Sequence, residues 1–245
     1  LSASFGSVPL MKNSLRVAKI DIPWSVQELR KFIETLIVRN NYRESRIRLM
    51  ITRGVSLTKG AFFRPSLVQS PTLFITCYRL PVWKSGILQT GRCVFFEVER
   101  NFPSVKTTSI FPLILGRIHA DEHDAVDALL VDRRGFVKEG AISNIFIYKN
   151  KVLVTPGQDI LKGTMRDFIL KLVHGICRVK FRALKKSEIF SADEVFLTNA
   201  PKGIIGVTHI EGRRIGKSAG NDADRDENFP FTLHVKKLFD AYISK

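Results

Sequence analysis

The sequence predicts an α/β (α+β) fold in two successive organisations, a small N-terminal α+β domain over residues 1–102 and a larger domain over 103–245. Three observations predict it. Apolar residues recur at helical spacing in some segments and alternate at strand spacing in others. The strands of the first half are separated by loops carrying Pro65, Pro71, Gly86 and Gly91 and suit antiparallel pairing. Beyond the loop that carries Pro103, a new series of strand pairs and amphipathic helices begins.

Taken in order, Ser25–Asn40 is the clearest helix: Ser25 and Glu28 form a capping box, and Leu29, Phe32, Ile33, Leu36 and Ile37 repeat at helical spacing. Arg46–Arg53 alternates, with Ile47, Leu49 and Ile51 on one side of a strand. Thr72–Leu80 and Cys93–Arg100 are strands rich in Phe, Val, Ile and Thr. Leu113–His123 is helical and Ala128–Asp132 a short apolar strand. Asp132-Arg133-Arg134-Gly135 turns the chain into Phe136–Lys138. Asn144–Tyr148 and Lys151–Thr155 pair across Lys149–Asn150. Thr164–Gly175 is an amphipathic helix, with Met165, Phe168, Ile169, Leu172 and Val173 inward and Gly175 as its stop. Arg178, Lys180 and Arg182 alternate with Val179, Phe181 and Ala183, as on the wet face of a strand. Glu194–Thr198 is a buried strand, Asn221–Asn228 a polar mobile loop and Phe231–Ile243 a helix.

A hydrophobic fraction of 44% over 245 residues suits a globular chain with a sizeable core. No apolar run reaches the roughly 18 residues of a membrane span, and the first residues lack the apolar stretch of a signal peptide. Cys77, Cys93 and Cys177 are odd in number, far apart and free of any metal-ligand pattern. They suit buried free thiols in a reducing, cytoplasmic setting. The net charge of +16 suits an anionic small substrate, solubility or nucleic acid, but no nucleic-acid motif accompanies it.

Three segments carry candidate chemistry. Gly163-Thr164-Met165 sits where a loop enters a helix, where unpaired N–H groups and the dipole favour an anion. Thr198-Asn199-Ala200-Pro201-Lys202-Gly203 follows a buried strand and offers a second set of backbone donors. Glu139-Gly140 leads into Ser143-Asn144, which sets a carboxylate beside a tight polar loop. Each alone also fits a helix cap, a strand-end turn or a solvated hairpin.

Together and in this order they resemble the aminotransferase class IV family, the fold-type IV enzymes that use pyridoxal 5'-phosphate (PLP). The resemblance rests on 105–132 (VKTTSIFPLILGRIHADEHDAVDALLVD), 138–156 (KEGAISNIFIYKNKVLVTP), 160–167 (ILKGTMRD) and 192–207 (ADEVFLTNAPKGIIGV), with RIRLMITRG at 46–54. It implies a two-domain fold like that of D-amino-acid aminotransferase, with PLP between the domains, and a homodimer. It implies that Lys106 carries the cofactor and shuttles protons, an amine being able to do both. It implies that Glu139 pairs with the pyridine nitrogen. Gly163, Thr164 and Met165 would bind the phosphate at the helix start, Asn199 and Ala200 from the second loop. Ser143 and Asn144 would line the same region. Arg53, in the Thr-Arg-Gly motif, is as much a structural candidate as a functional one.

The chain departs from the family in three places. Where relatives have a phosphate-gripping Arg it has Ser7-Val8-Pro9-Leu10-Met11, and Ser109-Ile110 replaces a polar pair after the lysine. Two or three opening strands are absent, as in an N-terminus that is not complete. Two activities fit the resemblance. Aminodeoxychorismate lyase, of the folate pathway, is favoured narrowly by the GTMR and LTNA runs and by the basic charge. Amino-acid aminotransferase, branched-chain or D-amino acid, is the alternative. A non-catalytic member binding an anionic partner is the alternative of another class. His119 and His123 lie four apart with Asp121 and Glu122 between them, but the pattern is not His-Glu-x-x-His and shows no third ligand. The sequence thus predicts a solvated helix face and no metal there.

Overall fold

The computed structural model describes residues 8–42, 44–57, 64–68, 70–80, 86–216 and 229–243. The predicted loop Asn221–Asn228 and Ser7 lie outside them. The chain divides into two compact units, Leu1–Lys84 and Ser85–Lys245.

The first unit contains helices α1 (Val8–Ala18) and α2 (Val26–Asn40), strand β1 (Ser45–Thr52), a single 3-10 turn at Pro65–Leu67 and strand β2 (Thr72–Arg79). The capping box forms as expected: Ser25 Oγ accepts the Glu28 N–H at 3.2 Å and the Glu28 carboxylate accepts the Ser25 N–H at 2.8 Å. Leu29, Ile33 and Ile37 give α2 its buried stripe. Helix α1, whose three-residue spacing the sequence does not make plain, ends on Arg53. That guanidinium donates to the carbonyls of Ala18 and Lys19, which gives Arg53 a structural duty at the helix end. β1 and β2 pair antiparallel from Ser45 opposite Arg79 to Thr52 opposite Thr72.

The second unit runs β3 (Gln89–Glu97), α3 (Phe111–Glu122), β4 (Asp127–Val131), β5 (Phe136–Gly140), β6 (Asn144–Lys149), β7 (Val152–Thr155), α4 (Thr164–Leu172), β8 (Arg178–Phe181), β9 (Leu184–Lys185), α5 (Lys186–Phe190), β10 (Glu194–Asn199), β11 (Gly203–Ile210), β12 (Arg213–Arg214) and α6 (Pro230–Ile243). One sheet holds all of these strands in the order β8-β7-β6-β10-β11-β3-β4-β5-β9, with β12 beside β11. Here the structure departs from the expected division after residue 102. β3 lies in parallel between β11 and β4, inside the large sheet. A strand hydrogen-bonded on both sides belongs to the core it completes, so the division falls earlier, after Lys84.

Connectivity forces this sheet to curl. Five inter-strand steps separate β5 from β6 in the order, about 24 Å if the sheet were flat. Only residues 141–143 connect Gly140 to Asn144, a reach of about 14 Å. The two strands therefore close toward each other, and Glu139 on β5 comes beside Asn144 on β6. Within the curl lies a core of Leu129, Val131, Ile145, Ile147, Val195, Leu197, Ile205 and Val207 with their neighbours. Phe146 and Phe196 stack at 4.9 Å between ring centres. Glu194 fastens α6 to the sheet, accepting the N–H groups of Phe231 and Thr232 at 2.8 Å each and the Thr232 hydroxyl at 2.7 Å.

The predicted turn at residues 132–135 forms with Gly135 in the left-handed region (φ 79°). Asp132 Oδ1 accepts the N–H groups of Arg134 at 3.0 Å and Phe136 at 2.8 Å. All three cysteines are free, but only Cys93 is buried, while Cys77 and Cys177 are half-buried. Among the described residues no helix is long and apolar enough to cross a membrane.

Candidate active site

The loop between β3 and α3 presents Lys106. Phe102 adopts a left-handed conformation (φ 55°), the Val105 N–H returns to the Phe102 carbonyl at 3.0 Å, and the Val105 side chain is buried. This anchors the chain one residue before Lys106, which is itself exposed. Its charge acts on Glu139.

Glu139 is not the surface hairpin residue that its sequence context allows. It is 4% exposed, because the curl carries β5 against β6. Oε1 receives Arg100, and Oε2 receives the Leu161 N–H at 3.0 Å and the Asn144 amide at 3.4 Å. Burial pushes this carboxyl above its usual range, against the opposite pull of Arg100, the Leu161 N–H and Lys106. A carboxylate has about four lone-pair sites, so Oε1 retains room for one more donor.

Asn144 joins this carboxylate to the start of α4. Its amide donates to the Leu161 carbonyl at 2.7 Å and its oxygen accepts the Gly163 N–H at 3.2 Å. Residue 163 must be glycine, since a Cβ would fall on the Asn144 oxygen. Gly163 supplies no side-chain cap, so the first-turn N–H groups of Thr164, Met165 and Arg166 have no acceptor within the helix. On β10, Thr198 stands opposite Asn144, and its buried hydroxyl lacks a partner among the described residues. The same holds for Nε of Arg166, a residue 3% exposed whose Nη2 donates to the Pro156 carbonyl at 2.9 Å.

The residues singled out from sequence thus fall into two groups. Glu139, Asn144, Gly163, Thr164 and Met165 are brought together, with Lys106 within electrostatic reach of Glu139. Ser143 turns elsewhere: its hydroxyl donates to Asp127 at 2.5 Å, and Asp127 also accepts the Ala128 and Ile142 N–H groups at 2.9 and 3.3 Å. This knot requires Gly140, where a Cβ would meet Ser143 Oγ and the Asp127 carboxylate. Asn199 uses its oxygen on the Lys202 N–H at 2.8 Å to shape its loop, and Ala200 is exposed. Arg100 and Arg166 escaped the sequence reading, which took Thr198 only as part of a backbone-donor loop and not for its hydroxyl. Arg166 lies inside the matched motif at 160–167, and its burial was the missing signal. Nothing local in the sequence marks Arg100. A cavity of about 250 Å³ lies beside this group, lined by Arg100, Asn101, Ser109, Phe111, Pro112 and Leu113.

A deeply held carboxylate, a lysine on the neighbouring loop and a helix start without a side-chain cap make up the candidate site, in a chain of mixed α/β fold. The model of the amino-transferase class IV family matches residues 11–210, and the chain belongs to that family, whose enzymes use PLP. A protein of Methanocaldococcus jannaschii provisionally named a branched-chain-amino-acid aminotransferase is 37% identical over 208 residues, 80% of this chain and 69% of that protein. The D-alanine aminotransferase of Bacillus licheniformis is 30% identical over 210 residues, 82% of this chain and 71% of its own. Among solved structures, the branched-chain amino acid aminotransferase from Escherichia coli superposes with a TM-score of 0.77. It is 22% identical and covers 96% of this chain and 76% of its own. A Legionella pneumophila protein provisionally named a 4-amino-4-deoxychorismate lyase gives a TM-score of 0.78 at 21% identity, over 95% of this chain and 86% of its own. These two structures establish the shared fold.

Proposed function

We propose that the chain is a PLP enzyme acting on a small anionic amino substrate, with amino-group transfer as its reaction. The observation that carries this reading is Glu139, a carboxylate held out of water by Arg100, Leu161 and Asn144 yet able to accept one further donor. The residues fit the group: Glu139 would face the pyridine nitrogen, and the N–H groups of Thr164 and Met165 with the orphaned Thr198 hydroxyl would face the phosphate. When bound, PLP supplies an electron sink for a carbanion at the substrate α-carbon.

The protein's own part is then positioning and proton transfer. Lys106 Nζ would hold the cofactor, and its free amine would take up and return the substrate α-proton. Glu139, whose burial is opposed by Arg100 and the Leu161 N–H, would face the ring nitrogen and favour its protonation. Arg100 also lines the cavity where a substrate carboxylate would lie. Phe111, Pro112 and Leu113 give that cavity its apolar side. The relatives at 30% and 37% identity are named as aminotransferases, which supports transfer over elimination.

A second reading, 4-amino-4-deoxychorismate lyase with pyruvate as leaving group, is favoured by the runs Gly163-Thr164-Met165-Arg166 and Leu197-Thr198-Asn199-Ala200 and by the charge of +16. The expected homodimer is supported by the exposed apolar residues Phe111, Ile114, Leu115 and Ile118 of α3. Three free cysteines support a reducing compartment such as the cytoplasm.

The test is the visible absorbance of the purified protein with PLP, beside Lys106→Ala. A band present in the wild type and lost in the variant is expected, followed by keto-acid-dependent turnover of branched-chain amino acids or D-alanine. Pyruvate release from aminodeoxychorismate without added keto acid would select the lyase instead. A protein that never takes up PLP would leave the non-catalytic reading, and salt-sensitive binding of an anionic polymer would then identify it.

A further inference from the structure

We propose that the last turn of α3 holds a divalent transition-metal ion between His119, Glu122 and His123, apart from the group around Glu139. One ligand atom from each residue lies within 4.8 Å of the others. Zinc bonds of about 2.0–2.1 Å put tetrahedral ligand atoms roughly 3.3 Å apart, so small rotamer changes, chiefly in the exposed Glu122 and His123, close the set. The sequence reading noted Glu122 between the two histidines but found no third ligand there. The helix adds the third ligand, because residues at i, i+3 and i+4 share a face.

Three further features of this turn suit a cation. His123 Nδ1 lies 2.8 Å from the His119 carbonyl oxygen. A carbonyl only accepts, so a neutral imidazole here carries its hydrogen on Nδ1 and leaves the Nε2 lone pair for a metal, the arrangement that orients metal-binding imidazoles. Glu122 has no hydrogen-bond or ion-pair partner among the described residues, whereas its neighbour Asp121 is taken by Arg117 at 2.5 Å. The cluster also stands at the C-terminal end of the helix, the negative pole of its dipole. The His119 ring is steadied on Phe96, 5.3 Å between centres, and lies 4.4 Å from that of His123.

Two imidazoles and one carboxylate suit zinc and its borderline neighbours, not magnesium or calcium, which prefer all-oxygen shells. Water would complete the coordination on the open side. Bound metal would clamp the end of the helix whose first residues, Phe111–Leu113, line the cavity.

The deciding experiment is equilibrium dialysis of tag-free, chelator-treated full-length protein against zinc chloride, with magnesium chloride as comparison. One zinc per chain is expected, with affinity falling about tenfold or more in His119→Ala and in His123→Ala, since even outer-shell changes reach that scale. Magnesium should not compete. His123 is exposed, so His123→Ala decides the matter if His119→Ala unfolds through lost packing on Phe96. Zinc binding unchanged in His123→Ala would place the metal elsewhere, at thiols or other histidines, and overturn the proposal. So would the absence of stoichiometric zinc. Glu122→Gln is expected to bind more weakly, and wild-type affinity in that variant would remove Glu122 from the ligand set.

Discussion

Glu139 and Thr198 show the two ways in which a buried polar group can serve a site. Glu139 is satisfied by Arg100, Leu161 and Asn144 and keeps capacity for one donor more. Glu139→Gln removes the charge while keeping the shape. We expect kcat to fall roughly 10²–10³-fold, the scale seen when a preorganised electrostatic partner is lost, with the visible band retained. Steady-state turnover of the holo-protein checks this, and near-wild-type kcat would end the assignment. Thr198 is the reverse case, a buried hydroxyl without a partner among the described residues. Replacing such a group by an apolar isostere is nearly neutral or stabilising for the fold. Thr198→Val should therefore leave the urea midpoint of the apo-protein unchanged or higher while weakening PLP about tenfold, the equivalent of one hydrogen bond. Unchanged PLP affinity in a titration would mean that the hydroxyl does not face the phosphate. Spacing to fixed motifs is what singled out Lys106 and Glu139 in the sequence, and the fold brings the two within electrostatic reach. Arg100 was not singled out, since its role exists only where the curled sheet brings β5 to the loop after β3.

Elements with local rules were the easiest to foresee, and the turn at Asp132 is the sharpest case. The capping box of α2 and the strand alternation of β1 follow from contacts three or two residues apart. The placement of β3 does not, because its partners β4 and β11 lie far along the chain and their alternation is the same in either unit. At the turn, burial alone would push the Asp132 carboxyl up, but the N–H groups of Phe136 and Arg134 and the Lys138 ammonium, 3.1 Å away, hold it below the usual range. A carboxyl depressed in the fold contributes stability above its unfolded value near 3.9, and loses it as pH falls through the folded value. Asp132→Asn can still accept both N–H groups yet cannot titrate. Wild type should thus lose stability relative to the variant between about pH 5 and pH 3. Urea unfolding of both proteins across that range checks the sign, and parallel curves would show that the Lys138 pairing adds nothing.

At the scale of the molecule, the candidate cofactor contacts come from the loop before α3, from β5, from the start of α4 and from β10. All of these belong to the unit Ser85–Lys245, and one sheet joins the strands. The family resemblance placed the cofactor between two domains, but the sequence could not say how much of the seat one unit supplies by itself. That depends on a curl set by sheet order, which no local pattern encodes. A ligand that binds the folded unit and not its unfolded chain stabilises it by about 2.7 kcal/mol at a hundred times its Kd. For a unit of this size that corresponds to a rise of about 5–10 °C in Tm. Calorimetry of the full chain with and without PLP should show the rise in the transition of the larger unit. A smaller rise is expected for Lys106→Ala, which keeps the phosphate and ring contacts and loses only the covalent anchor. A rise confined to the transition of the smaller unit would move the principal cofactor contacts away from Glu139 and α4, and no rise at saturating PLP would remove the cofactor from the protein's function.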